Sequence, residues 1–410
     1  MMPWIQVNQL SDVYGESFFI FHEDKFRANF HDLNTSFNSV YHNTRVAYSY
    51  KTNYTPAICR IVDDMGGYAE VVSEMEYVLA KNLSVEDTHI IYNGPYKSID
   101  SFRAALKAGT IVNLDSMRDY ENLLLVAMEV PEIKLAVAIR CNFPLDRDKV
   151  SRFGFDVQGE EFREVTEGIR WSSNIRLSGL HCHFPNRDLE SYGIRARQML
   201  KLSRKLFRDP PDFLNLGGGF FGGMPASLQK NYKNKLPTFH DYAKLIGDLF
   251  NDAFEHAGKL PILFIEPGTA LVANTFKFYT KVISKKIIRG HHIVTVAGSI
   301  FNISPTARLM NLPVTVLRQS GHLETNDNNE LWDVAGYTCI ETDYLTLGMQ
   351  GPVDVGDFLV YENVGSYSVV MKPPFILPNV PILKKSIQNT DLTLIKRGET
   401  YDYIFQNFEN

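Results

Sequence analysis

Six short stretches of this chain carry residue types that can do chemistry together. Lys51 follows the run Arg45-Val46-Ala47-Tyr48-Ser49-Tyr50, which reads as a short buried strand. An amine at the tip of an apolar strand is costly to desolvate. It therefore gives up its proton more readily and becomes a nucleophile able to form a Schiff base with a carbonyl cofactor. Taken alone, a lysine snorkelling to the surface is the plainer reading. Gly217, Gly218 and Gly219 follow an apolar run at 213–216, and consecutive glycines let backbone N–H groups approach a phosphate. Glu266 ends another apolar run, 262–265, beside Pro267-Gly268-Thr269. A carboxylate there can keep a pyridine nitrogen protonated. His181 and His183 alternate, so they share one side of a strand. Without a cysteine pair or a carboxylate partner they do not read as metal ligands. His181 reads as a core histidine, and His183, nearer the strand end, can stack on a flat cofactor. Thr338-Cys339-Ile340-Glu341-Thr342-Asp343 and Asn363-Val364-Gly365-Ser366-Tyr367 read by themselves as strand-end and turn residues.

The elements that must position these groups alternate along the chain. Apolar strands are expected at 46–50, 88–92, 109–114, 133–139, 176–181, 213–216 and 262–265, with helices between them at 73–81, 98–108, 116–129 and 189–207. Short buried strands alternating with helices imply parallel βαβ units, and about eight such units suit a (β/α)8 barrel, whose functional groups gather at the C-terminal ends of the strands. After residue 270 the texture changes to β-branched and aromatic runs at 276–288, 292–297, 356–361 and 369–374, with a polar loop at 318–330. This predicts an antiparallel β domain. The expected division is a barrel over 25–272 and a β domain of 1–24 and 273–410, the strand at 17–21 joining the latter.

The bulk properties exclude several classes. A net charge of −5 leaves no electrostatic footprint for nucleic acid. No 18-residue apolar run and no signal-like start occur, so neither a membrane span nor secretion is expected. Cys59, Cys141, Cys182 and Cys339 are scattered, which fits free thiols in the cytoplasm and neither a disulfide framework nor a metal site.

Taken in order, the motifs resemble the fold-type III pyridoxal-phosphate amino-acid decarboxylases, the family of diaminopimelate and ornithine decarboxylases. The resemblance rests on Tyr48-Ser49-Tyr50-Lys51-Thr52-Asn53, Glu70-Val71-Val72-Ser73 with Glu76, Arg140, Ser151-Arg152-Phe153-Gly154, His183, the three glycines, Glu266-Pro267-Gly268, Cys339 with Asp343, Gly365-Ser366-Tyr367, and Lys396-Arg397-Gly398-Glu399-Thr400-Tyr401. It covers nearly the whole chain and implies an alanine-racemase-like barrel with pyridoxal 5'-phosphate as cofactor. In that family Lys51 would carry the Schiff base, His183 would stack on the pyridine and Glu266 would pair with its nitrogen. Gly217, Gly218, Gly219 and Tyr367 would hold the phosphate. Glu70, Arg140, Asn186, Gly268 and Thr269 complete the expected cofactor set. Cys339 would come from the second subunit of a homodimer with shared active sites and protonate the carbon that loses carbon dioxide.

Departures from the family pattern bear on the substrate. Thr269 stands where an arginine is usual, and Pro185-Asn186 where Gly-Ser is usual, so Asn186 is expected to take over a phosphate contact. Ile340 stands where an acid binds the distal ammonium of basic substrates. Ala307 falls where a second distal acid sits, next to Arg308. Glu341 follows one position later, but strand alternation would aim it at the other face. The substrate set is thus Arg308, Cys339, Ile340, Asp343 and Tyr367. It points to α-decarboxylation of an amino acid or conjugate without a free basic distal amine. Diaminopimelate is the alternative. An amino-acid racemase, which Glu266 opposes, and a non-catalytic relative are the remaining ones.

Overall fold

The computed structural model describes residues 2–145, 150–304, 311–319, 330–387 and 389–409. The chain forms two compact units, one of residues 29–222 and 236–270, the other of residues 1–28, 223–235 and 271–410.

Strand β1 (Ser17–His22) belongs to the second unit. The first unit is a closed barrel of eight parallel strands: β2 (Thr44–Ser49), β3 (Tyr68–Val71), β4 (Ile90–Tyr92), β5 (Ile111–Leu114), β6 (Leu135–Asn142), β8 (Ile175–His181), β9 (Phe213–Asn215) and β10 (Ile262–Ile265). The two-residue β7 (Phe155–Asp156) lies against β6. Pairing of β10 with β2 and of β5 with β6 completes the ring. The strands are nearly all-apolar because a parallel barrel strand is buried on both faces. Ala47, Ile91, Ala138, Phe213 and Phe264 pack together as one apolar cluster. Removing a ring such as Phe264 from such a core costs about 3–5 kcal/mol.

Helix caps fix where each rim loop ends. Ser73, Ser98, Asp188 and Thr238 each accept a backbone N–H of the helix they precede. The expected strand at 46–50 stops at Ser49, because Tyr50–Thr52 turns as one 3₁₀ step. Lys51 therefore stands on a rim turn and not inside the strand.

The second unit is a mixed sheet. Its strands are β1, β11 (Phe276–Ile288), β12 (His291–Val296), β13 (Val314–Leu317), β14 (Leu331–Ala335), β15 (Tyr344–Gln350), β16 (Phe358–Glu362), β17 (Ile382–Ser386) and β18 (Asn389–Lys396). Most pairs are antiparallel, as expected, but β1 with β17 and β12 with β14 run parallel. Phe18, Ile20, Tyr279, Phe358 and Val360 form its core. Two expectations fail locally. Residues 369–374 are turn and irregular backbone with no strand, since Pro373-Pro374 cannot donate to a ladder. Trp4–Tyr14 is a helix that the pattern did not announce. Most of the expected 318–330 loop lies outside the described residues. No helix among the described residues is long and apolar enough to cross a membrane.

Candidate active site

The C-terminal ends of the barrel strands carry a continuous polar network. Lys51 Nζ lies 2.5 Å from Glu70 Oε2, at the end of β3. The free amine expected at an apolar strand tip is thus replaced by an ion pair, with about a third of the lysine side chain still accessible. Glu70 Oε1 accepts a hydrogen bond from Asn93 Nδ2 at 2.9 Å, and the same nitrogen donates to Glu266 Oε1 at 2.8 Å. Asn215 Nδ2 also donates to Glu266 Oε1, at 2.7 Å, and His181 Nε2 stands 3.3 Å from Oε2. One amide therefore links the partner of Lys51 to the carboxylate across the barrel mouth. Asn113 holds that amide in place through Asn93 Oδ1 at 2.7 Å.

Glu266 is buried, and burial by itself raises its pKa. The charge and hydrogen bond of His181 and the charge of Lys51 outweigh that and hold it well below the usual carboxylate range. A fixed anion thus sits at the centre of the rim. Glu76 behaves differently: burial pushes its carboxyl up to about 7, although it accepts the Val72 N–H at 2.8 Å.

His183 accepts the Gly218 N–H on Nδ1 at 3.0 Å. That bond assigns the proton of a neutral ring to Nε2. Burial, reinforced by the charge of Lys51, pushes its pKa well below 6.5, so the ring stays neutral. Only glycine fits the loop beside it. Gly217 has φ +69°, and a Cβ there would lie 2.8 Å from that of His183, while a Cβ on Gly218 would strike the Glu266 carbonyl. Asn215 Oδ1 accepts the Gly217 N–H at 2.9 Å, so of the three glycines only Gly219 keeps a backbone donor unspent among the described residues.

Other expected residues fall near this rim. Arg140 donates to Asp115 at 3.0 Å, and its guanidinium lies 4.6 Å from the Phe153 ring. A cavity of about 310 Å³ is lined by Ser151, Arg152, Phe153, His183 and Asn186 among others. Gly268 packs on Thr52, where a Cβ would collide with the hydroxyl, and Thr269 starts the short helix Thr269–Val272.

In the second unit, Cys339 is exposed on a loop and lines a groove of about 450 Å³. Ile340 and Glu341 line the same groove. The alternation expected to turn Glu341 away does not apply, because residues 336–343 form a loop and not a strand. Asp343 shapes that loop. Its buried carboxylate accepts the backbone N–H groups of Ile300 at 2.8 Å and Thr338 at 3.2 Å, and the Thr338 hydroxyl at 2.6 Å. These hydrogen bonds fold the loop around the Asp343 carboxylate. Tyr367 sits in the left-handed region, φ +65°, in a tight turn after Gly365. Ala307 and Arg308 lie outside the described residues.

The sequence reading missed Asn93, Asn113, Asn215, Asp115 and Arg195. The available signal was weak: an asparagine at or inside an apolar strand, as in Ile111-Val112-Asn113-Leu114, is a polar group that must find a buried partner.

The family described as pyridoxal-dependent decarboxylase, pyridoxal binding domain, matches residues 23–273. Over longer stretches the chain is 26% identical to a probable chloroplastic diaminopimelate decarboxylase of Oryza sativa, covering 89% of this chain and 74% of that one. It is 23% identical to the diaminopimelate decarboxylase of Aquifex aeolicus, covering 98% and 94%. The crystal structure of the M. jannaschii diaminopimelate decarboxylase superposes with a TM-score of 0.85 at 23% identity, covering 97% of this chain and 93% of that one. The donor set fits the cofactor these names imply. An amine, a carboxylate with a lowered pKa, a neutral flat imidazole and a glycine cradle are the kinds of group that an aldehyde, a ring nitrogen, a ring face and a phosphate require. The chain belongs to the pyridoxal-dependent decarboxylases, enzymes that use pyridoxal phosphate to remove carbon dioxide from an amino acid.

Proposed function

We propose that this protein decarboxylates diaminopimelate at one α-carbon, as a homodimer. The observation that carries the reading is the placement of Glu341 on the same groove as Cys339. The case against diaminopimelate rested on Ile340 replacing the acid that binds the distal ammonium and on Ser304 standing where the family carries an arginine. With 336–343 in a loop, Glu341 serves that end one position later. Lys286 lines the same groove, so both signs needed by a distal ammonium and its carboxylate are present. A substrate lacking a basic distal amine thereby loses its main support, and the likeness to diaminopimelate decarboxylases along most of the chain favours the same choice.

Pyridoxal phosphate, when bound, supplies an electron-withdrawing ring to which the α-carbon's electrons can retreat. The chain's own residues do the rest. Lys51 offers the amine for the aldehyde, and Glu70, 2.5 Å away, is placed to take its proton. Glu266 would keep a proton on the ring nitrogen. The neutral His183 would cover one ring face, and Gly219 and Asn186 would hold the phosphate. Cys339 of the second subunit delivers a proton to the carbon that has lost carbon dioxide. An interface is supported by Ile283, Ile287, Ile288, Leu331 and Leu347, all exposed on the sheet that carries the groove.

The test is carbon dioxide release from diaminopimelate, lysine and ornithine by the holoenzyme. We expect diaminopimelate to give the highest kcat/KM, and Glu341→Gln to raise its KM about tenfold, the worth of one charge-assisted hydrogen bond. An equal or better kcat/KM for ornithine would sink the reading, and racemisation without gas release would point to the racemase alternative.

A further inference from the structure

Arg195, on the helix Leu189–Leu206, is fully buried, yet no carboxylate pairs with it among the described residues. A guanidinium taken out of water without a counter-ion is destabilising unless something else answers its charge. Its Nε has no hydrogen-bond partner at all among those residues. Its other donors all go to backbone carbonyls around the glycine loop. NH1 donates to Gly218 O at 3.1 Å, and NH2 donates to Phe184 O at 3.0 Å and to Asn186 O at 2.5 Å. The Tyr192 ring packs 4.2 Å beneath the guanidinium, and its hydroxyl donates to the same Gly218 carbonyl at 2.7 Å.

A planar trans peptide points its C=O and the following N–H in opposite directions. Pinning the carbonyls of Gly218 and Asn186 toward Arg195 therefore turns the N–H groups of Gly219 and Arg187 away from it. Neither N–H donates to another described residue. These are two oriented, unspent donors backed by a buried positive charge, an arrangement that suits an anion. Thr269, by contrast, brings no charge to the position where the family carries an arginine.

We propose that Arg195 is the resident cation of the phosphate cradle, a positioning residue that aims the Gly219 and Arg187 N–H groups at the phosphate and supplies the charge that Thr269 lacks. The proposal rests on the cofactor site described above.

The experiment compares the apoprotein's affinity for pyridoxal phosphate with that for pyridoxal, which lacks the phosphate. Binding is followed by the absorbance change of the bound aldehyde. Arg195→Gln is expected to weaken pyridoxal phosphate binding about tenfold to hundredfold, the range for losing charge-assisted support, while changing pyridoxal binding less than about threefold. Adding Thr269→Arg to that variant should restore part of the preference for the phosphorylated form. Arg195→Lys keeps the charge but not the fork that pins both carbonyls, and should keep part of the preference, between the wild type and the glutamine variant. Equal weakening for both aldehydes would make Arg195 mere scaffolding and overturn the proposal, as would no weakening of either. If the glutamine variant does not fold, a lysine variant that has lost the phosphate preference overturns it equally. Wild-type protein that takes up neither aldehyde would instead sink the cofactor site, and this proposal with it.

Discussion

Glu266→Gln removes a charge and almost no volume. The glutamine oxygen can still accept from Asn93 and Asn215, which now hold Oε1 at 2.8 and 2.7 Å. Its amide would face His181 Nε2, which stands 3.3 Å from Oε2, and the imidazole can answer by changing tautomer. Folding should therefore be little affected. The chemistry should not be spared. Replacing a charge-assisted bond to the ring nitrogen by a neutral one loses about 1.5–2 kcal/mol at the least. The full attraction between two unit charges ~3 Å apart at an effective dielectric of ~20 is about 5 kcal/mol, which sets the upper end. Between those limits kcat should fall from about tenfold to several-thousandfold, at ~1.4 kcal/mol per decade. The assay is kcat for carbon dioxide release at saturating pyridoxal phosphate, with cofactor occupancy read by absorbance in the same sample. A variant that keeps its cofactor and retains kcat within about threefold of the wild type would refute the role given to Glu266.

Two further outcomes are expected. His22 is held at about 4, chiefly by burial and then by Lys277, Lys385 and Lys25 against Glu362. A histidine with a depressed folded-state pKa leaves the unfolded chain binding the extra proton, so stability is intact above pH 6.5 and drops as pH falls from about 6.5 to about 4. Discounted for its partial exposure, the loss is about 1–3 kcal/mol; urea unfolding should show it, and His22→Gln should flatten it. Lys97→Met leaves Asp119 buried without the cation now 2.7 Å away, and should destabilise the protein by about 3–5 kcal/mol in the same assay, whereas a loss under about 1 kcal/mol would mean the pair is dispensable.

The barrel was legible because most of its strands are short apolar runs separated by helical periodicity, and each rim residue that ends such a run, His181 and Glu266 among them, is where a barrel puts its chemistry, whereas β3 (Tyr68–Val71) was not among the expected strands. What escaped is long-range. Asn93 gains meaning only when β4 is closed against its neighbours and brings Glu266, 173 residues away, within hydrogen-bond reach. Arg195 hides in a polar helical stretch, Ile194-Arg195-Ala196-Arg197, whose buried face only the fold defines. The expectation that Glu341 faces away from Cys339 fails for a local reason: strand alternation does not hold in a loop that Asp343 folds back. The helix Trp4–Tyr14 was invisible because it follows Pro3 with no side-chain cap and is anchored by a distant contact, the Trp4 indole to Gly356 O at 3.0 Å.

Strand β1 lies between β11 and β17 in its sheet, both of which are encoded far downstream. During synthesis the sequence Ser17-Phe18-Phe19-Ile20-Phe21-His22 emerges early and finds no partner until residues 276–288 and then 382–386 have followed. At ~5–20 residues per second, the wait between β1 and β17 is roughly 20–70 seconds. Over that interval an apolar, uncharged, β-prone hexapeptide stands unpaired, the kind of segment that seeds aggregation. The barrel strands complete their ring by residue 265 and can collapse first. The nascent chain should therefore pass through a state with a folded barrel and a sticky leading strand, and its yield in cells should depend on holdase chaperones and growth temperature more than on the final stability of either unit.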